Sequence, residues 1–118
     1  MSISYINHKG KKILYIDYTN CKTIEETLSV LELVKQEYIN TKEQLLTLNN
    51  FEGAFASTAY MNKASQYGKE IFNARTSKNA ALGITGIKKI LLLGYNAIVK
   101  DKLMPFDTKL EALDYLVE

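Results

Sequence analysis

Alternating apolar residues near the start of the chain predict a β-hairpin. Residues 3–8 and 11–18 are rich in β-branched and aromatic side chains, and the turn between them contains Gly10. In the second run, from Ile13 to Tyr18, the alternate positions are apolar on both faces. The pattern therefore predicts a strand that is covered on two sides, rather than an edge strand with one face in water.

Helical spacing and capping residues predict the next elements. Thr23 and Glu26 have the spacing of a capping box, and apolar residues follow at helical intervals as far as Tyr38. A short apolar run predicts a buried strand at residues 44–49. A second helix is predicted at about residues 57–74, because its first serine is a suitable N-cap and its apolar positions recur with a helical period.

The rest of the chain repeats the order of strand followed by helix. A strand is predicted at residues 79–84, and the helix after it opens at Gly86 and covers residues 87–99. Residues 103–106 form a last short strand, whose proline is acceptable at the edge of a sheet. A second capping box begins at Thr108 and predicts a terminal helix.

These elements predict an α/β fold. A hairpin followed by strand-helix repeats gives a mixed, mainly parallel sheet of about five strands, covered by about four helices. The chain has 118 residues and 47% hydrophobic content, which is ample for one buried core. We therefore expect a single domain over residues 1–118.

Composition excludes several classes of protein. The formal net charge is only +2 and the basic residues are dispersed, so we expect no nucleic-acid partner. Cys21 and His8 are too few to build a zinc site or a disulfide, so no metal or cofactor is expected and a reducing cytoplasm fits best. No secretory signal is visible, and the longest apolar run, residues 90–93, falls far short of a membrane span.

The chain resembles the SpoIIAA-like branch of the STAS domain family, a group of STAS/SEC14-like bacterial proteins of unassigned function. The resemblance covers nearly the whole chain. It depends on four segments in order, at residues 13–22 (ILYIDYTNCK), 45–53 (LLTLNNFEG), 82–91 (LGITGIKKIL) and 105–116 (PFDTKLEALDYL).

The resemblance implies a small sheet covered by helices, used mostly for protein-protein contact and sometimes for nucleotide or lipid binding, without catalysis. In the anti-sigma-factor antagonists of the wider family, a phosphorylatable Ser or Thr follows an Asp at the start of the helix after the third strand. The matching stretch here, residues 50–53 (NFEG), has neither residue. The serine phosphoswitch is therefore not expected.

The carboxyl ends of the predicted strands define a candidate ligand site. In open α/β sheets ligands bind at this edge, and a glycine turn followed by a helix start can hold an anion. The candidate ligand-binding residues are Asp17, Asn49, Asn50, Thr85, Gly86 and Lys88. Alternatively, these residues have local roles, with the aspartate and asparagines forming turns and Thr85 capping the helix.

The predicted helix at residues 87–99 is apolar around most of its circumference. Part of its surface needs a cover, which is either the C-terminal helix with neighbouring loops or a partner. The candidate partner surface comprises Leu92, Leu93, Tyr95 and Val99.

Two functions follow as hypotheses. The leading one is a non-catalytic, regulatory module that binds a protein partner or forms a homodimer. The rival is a protein that binds a small anionic headgroup, lipid or nucleotide at the strand-end edge. No catalytic constellation accompanies either site, so we do not expect an enzyme.

Overall fold

The structure is a computed structural model that describes residues 2–100 and 102–118. Its elements are β1 (Ile3–His8), β2 (Lys11–Asp17), α1 (Ile24–Asn40), β3 (Leu45–Asn50), α2 (Thr58–Tyr67), α3 (Asn73–Arg75), β4 (Thr76–Leu82), α4 (Ile87–Ile98), β5 (Leu103–Phe106) and α5 (Lys109–Val117). The strands lie in the sheet in chain order. β1 and β2 are antiparallel and the other three pairs are parallel, which confirms the predicted mixed, mainly parallel sheet.

β2 is buried on both faces, as its sequence predicts. Leu14 and Ile16 pack in the core shared with α1, α2 and α4, whereas Ile13 packs in the core shared with α5. All three side chains are at most 2% exposed. The sheet therefore has α1, α2 and α4 on one face and α5 on the other.

Side-chain caps fix the starts of three helices. Thr23 Oγ1 accepts a hydrogen bond from Glu26 N at 3.2 Å, and Thr108 Oγ1 accepts one from Glu111 N at 3.2 Å. Ser57 Oγ likewise accepts from Tyr60 N at 3.1 Å. Each bond satisfies a backbone N–H that has no partner inside its own helix, so the predicted helix starts are confirmed.

The strand predicted at residues 79–84 is shifted in the structure. It begins at Thr76. The Thr76 hydroxyl lies 2.6 Å from the buried Tyr38 hydroxyl, so the Thr76 side chain is part of the core. The strand ends at Leu82, because Gly83 has a φ of 76° and turns the chain out of the sheet. The other predicted strands agree with the structure within one residue at each end.

The second helix is not a uniform α-helix, because a π-helical turn at Gly68–Phe72 joins α2 to α3. A Cβ at Gly68 would lie 2.8 Å from Val99 Cγ1. The absence of a side chain thus lets the segment after α4 pack tightly against this turn. Val99 is buried as a result, with 4% of its surface exposed.

Gly83→Ala is expected to destabilise the fold strongly. A Cβ at this position would lie 2.4 Å from Glu52 N, and the positive φ adds a conformational cost. Together these effects should lower the free energy of unfolding by about 3 kcal/mol, measured by urea denaturation. Gly10→Ala is the matched control, since Gly10 also has a positive φ but an added Cβ has nothing within 4 Å. Its loss should be about 1 kcal/mol, and equal losses would contradict the steric argument.

Candidate functional site

The structure distributes the predicted ligand residues over separate environments. Asn49 and Lys88 line a partly open cavity between the sheet and its three-helix layer. Thr85 lines an open groove at the carboxyl ends of β4 and β5. Asp17, Asn50 and Gly86 line neither the cavity nor the groove. The six residues therefore do not converge on one site.

Asp17 and Asn50 have the local roles that the sequence offered as the alternative. Asp17 Oδ1 accepts hydrogen bonds from the backbone N and the hydroxyl of Thr19, at 2.8 and 2.6 Å. Asn50 Nδ2 donates to the Tyr15 hydroxyl at 2.9 Å, and its Oδ1 accepts from Glu52 N at 3.1 Å. Both side chains thus stabilise the loops that follow β2 and β3.

Asn49 and Asn50 point to opposite faces of the sheet. Asn49 is 8% exposed and its Nδ2 donates to Asn79 Oδ1 at 2.8 Å, on the face covered by α1, α2 and α4. Asn50 contacts Tyr15, whose ring packs with the core on the α5 face. Because adjacent residues of a strand alternate in direction, these two amides cannot contribute side chains to one pocket.

Lys88 reaches the strand-end edge, but its ammonium is already engaged. Its Nζ donates to the main-chain oxygen of Phe51 at 2.8 Å. Burial lowers the pKa of Lys88, and repulsion from Lys22 lowers it further, whereas Glu52 acts in the opposite sense. This lysine therefore joins α4 to the loop after β3.

The start of α4 differs from the prediction that Thr85 caps it. The N-cap is Gly86, with a φ of 57° and no side chain to bind the helix. Thr85 contributes its main-chain oxygen, which accepts from Lys88 N at 3.1 Å, and its side chain is exposed. The glycine provides the turn because its positive φ is costly for other residues.

One ridge of α4 is exposed to solvent. Ile87, Ile90 and Leu93 are 64%, 68% and 73% exposed, and their spacing of three residues places them in a continuous row. We call these three residues the α4 ridge. The expectation that the C-terminal helix covers this surface is wrong, because α5 packs on the opposite face of the sheet.

The structure changes which residues make up the candidate partner surface. Leu93 belongs to the α4 ridge, but Leu92 and Tyr95 turn inward and pack against the core. Val99 is buried and so is not a surface residue. Ile87 and Ile90 were missed, although their spacing of three residues with Leu93 is visible in the sequence.

The open groove between α4 and α5 continues the α4 ridge. Leu93 lines the groove together with Phe106, while Lys89 supplies a positive charge and Glu52, Asp107 and Glu111 supply negative ones. None of these four charged residues forms an ion pair within residues 2–100 and 102–118. The surface is thus apolar along its centre and carries charges of both signs, mainly negative, beside it.

Among residues 2–100 and 102–118, no helix has both the length and the apolar character needed to cross a bilayer. No cluster of three or more His, Cys, Asp or Glu side chains in this part of the chain is arranged to hold a metal ion.

The topology is that of a SpoIIAA-like α/β fold. The chain is similar to a crystal structure of an uncharacterized protein of the DUF3478 family with a SpoIIAA-like fold, from Shewanella loihica. The TM-score is 0.71 at 15% sequence identity, over 97% of this chain and 91% of that chain. Comparison with protein-family models finds no match, and neither does comparison with curated proteins. At this identity the likeness establishes the fold, which confirms the predicted SpoIIAA-like architecture.

The inward position of Lys88 predicts an unusual titration. Its side-chain ¹³Cε resonance, assigned by its loss in Lys88→Arg, should titrate below the ordinary lysine value of about 10.4, because burial disfavours the charged form. Nuclear magnetic resonance of lysine-labelled protein measures the midpoint. A midpoint at or above the ordinary value would mean that Lys88 extends into solvent and is available to bind an anion at the edge.

Proposed function

We propose that this protein is a non-catalytic interaction module that self-associates through the α4 ridge. The observation that carries the proposal is the exposure of three large aliphatic side chains in one row, each about two-thirds exposed or more. Contiguous apolar surface of this kind usually marks a contact with another molecule. Burying the ridge in a dimer removes that surface from water and stabilises the association.

The charges beside the α4 ridge favour a second copy of the chain as the partner. A two-fold axis places the same patch on both subunits, so each patch must complement itself. Lys89 on α4 and the carboxylates of Glu52, Asp107 and Glu111 allow this, because a rotated copy can bring its lysine opposite one of the carboxylates. Charges of both signs around an apolar centre also match the usual anatomy of an interface.

Regulation by the family's phosphoswitch is not part of this proposal. The stretch at residues 50–53 has no hydroxyl, and the nearby Ser57 hydroxyl is engaged as the N-cap of α2. The Cys21 thiol is buried, and burial raises its pKa, so it has little thiolate character. An unreactive free thiol is consistent with the reducing cytoplasm that the sequence predicts.

Ligand binding at the strand-end edge has weaker support. That function needs free polar groups on Asp17, Asn50 and Lys88, and each of them already has a hydrogen-bond partner within the protein. A ligand at the edge would have to replace those bonds. The arrangement therefore favours the interaction module over the rival function.

Leu93→Lys should weaken self-association. A charge on the α4 ridge would be buried without a partner in the dimer, so the dissociation constant should rise at least about tenfold. Sedimentation velocity over a range of protein concentrations measures the change. Leu110→Lys is the matched control, because Leu110 is 62% exposed but lies on α5, outside the ridge.

Two results would overturn this proposal. The first is a wild-type protein that stays monomeric up to millimolar concentration. The second is an equal loss of association in Leu93→Lys and in the Leu110→Lys control, since that would place the contact elsewhere or make it nonspecific.

A further inference from the structure

A partly open cavity of about 90 Å³ lies between the sheet and the layer formed by α1, α2 and α4. Its walls are mostly aliphatic and aromatic, with Leu31 and Val34 from α1, Leu92 from α4 and Leu103 from β5 among them. The α4 ridge points away from this space, since its three residues do not line the cavity. The cavity is therefore separate from the proposed dimer surface.

The floor of the cavity is polar, in contrast to its walls. Thr47 and Asn49 on β3 and Asn79 on β4 lie side by side on the face of the sheet that the three helices cover. Thr47 Oγ1 donates to Asn79 Oδ1 at 2.5 Å, and Asn49 Nδ2 donates to the same oxygen at 2.8 Å. Three polar side chains at the centre of a buried sheet are costly unless their hydrogen bonds are made.

This network leaves one donor and one acceptor unused. Asn79 Nδ2 and Asn49 Oδ1 have no hydrogen-bond partner among the described residues. Both remain accessible, since in that part of the chain only the Ser65 hydroxyl is fully enclosed without a partner. If both side-chain amides are rotated by 180°, Asn49 has the free donor and Asn79 the free acceptor, so one of each is still left.

The lining carries little charge. Lys88 is the single charged residue along the described lining, and its ammonium already donates to the Phe51 carbonyl. The Tyr60 hydroxyl donates to the Tyr18 hydroxyl at 2.9 Å, and burial raises the pKa of both phenols, so they stay neutral. A cation would find no carboxylate in the described lining, and Lys88 is the one group there that could pair with an anion, so the uncharged threonine and asparagines favour a neutral occupant.

From these observations we propose that the cavity is a binding site for a small, neutral molecule that carries one carboxamide-like group on a compact apolar body. The group would accept a hydrogen bond from one asparagine and donate one to the other, while the apolar part packs against the leucines and valine of the walls. An apolar cavity dominated by aliphatic side chains with a few convergent polar groups is the usual form of a small-molecule site.

The cavity volume limits the size of the ligand. A cavity of about 150 Å³ holds benzene, so about 90 Å³ corresponds to a molecule smaller than benzene rather than to a lipid or a nucleotide. Isobutyramide carries both hydrogen-bonding functions but is about as large as benzene, so it needs a small outward shift of α4 to fit. α4 has no fully buried residue, so small shifts of this helix can adjust the fit.

Nuclear magnetic resonance tests the site with isobutyramide as the probe. Intermolecular contacts from the probe methyls to the methyls of Leu31, Val34 and Leu103 are expected in the wild-type protein. The matched ketone 3-methylbutan-2-one has the same shape but no donor, and isobutyrate has the same shape with a negative charge. The ketone leaves Asn49 Oδ1 without a donor, and isobutyrate places a negative charge beside that oxygen. Each should therefore bind about tenfold more weakly than the amide.

Protein variants separate the polar floor from the walls. Asn49→Leu keeps a similar volume and removes the Oδ1 acceptor that the amide can use and the ketone cannot, so isobutyramide should bind about tenfold more weakly and lose its advantage over the ketone. Thr47→Val is the matched control, because its hydroxyl is already used within the network and the preference for the amide should remain. Leu93→Lys should bind the amide normally, since the ridge is separate from the cavity.

Several outcomes would overturn the proposal. Absence of methyl contacts in the wild-type protein would mean that the cavity holds water only. Tighter binding of isobutyrate than of the amide would make the site anionic. An unchanged preference for the amide in Asn49→Leu would show that the polar floor does not select the ligand, and the wild-type contacts remain informative even if that variant does not fold.

Discussion

The need to cover the sheet on both faces determines the rest of this structure. β2, β3 and β4 bury side chains on each side, so neither face can be left to solvent. The nine-residue α5 packs over one face, whereas three longer elements share the other. This unequal division has two effects on the face that α1, α2 and α4 cover. α4 lies at the margin with its ridge in water, and the space between the three helices and the polar centre of the sheet is incompletely filled.

Most of the fold was predictable because its signals are local. Alternation on both faces identified β2, and the hydroxyls of Thr23, Ser57 and Thr108 marked the helix starts that the structure confirms. The start of β4 was not predictable in this way. Thr76 is polar and follows a helix, and its place in the sheet depends on a hydrogen bond to Tyr38, a residue far away in the sequence. The π-helical turn at Gly68–Phe72 likewise packs against a residue distant in the sequence, Val99.

The candidate sites were less predictable, because they depend on which way neighbouring side chains point. Asn49 and Asn50 are adjacent in the sequence, yet one lies beside Asn79 and the other beside Tyr15. A signal for the cavity was nevertheless present, since Thr47 and Asn49 interrupt an otherwise apolar strand that the sequence already identified as buried. Polar residues in such a strand indicate a network that must be completed by another strand or by a ligand.

The position of α5 has a consequence for how the protein is made. All five strands precede this helix in the chain, and its Ala112 and Leu116 complete the core beneath the second face. During synthesis, segments emerge from the ribosome in chain order. The sheet therefore emerges with one apolar face still open, and that face is closed only when α5 docks. In that interval the nascent chain presents a flat apolar surface, which is the feature that general chaperones bind and that aggregation exploits.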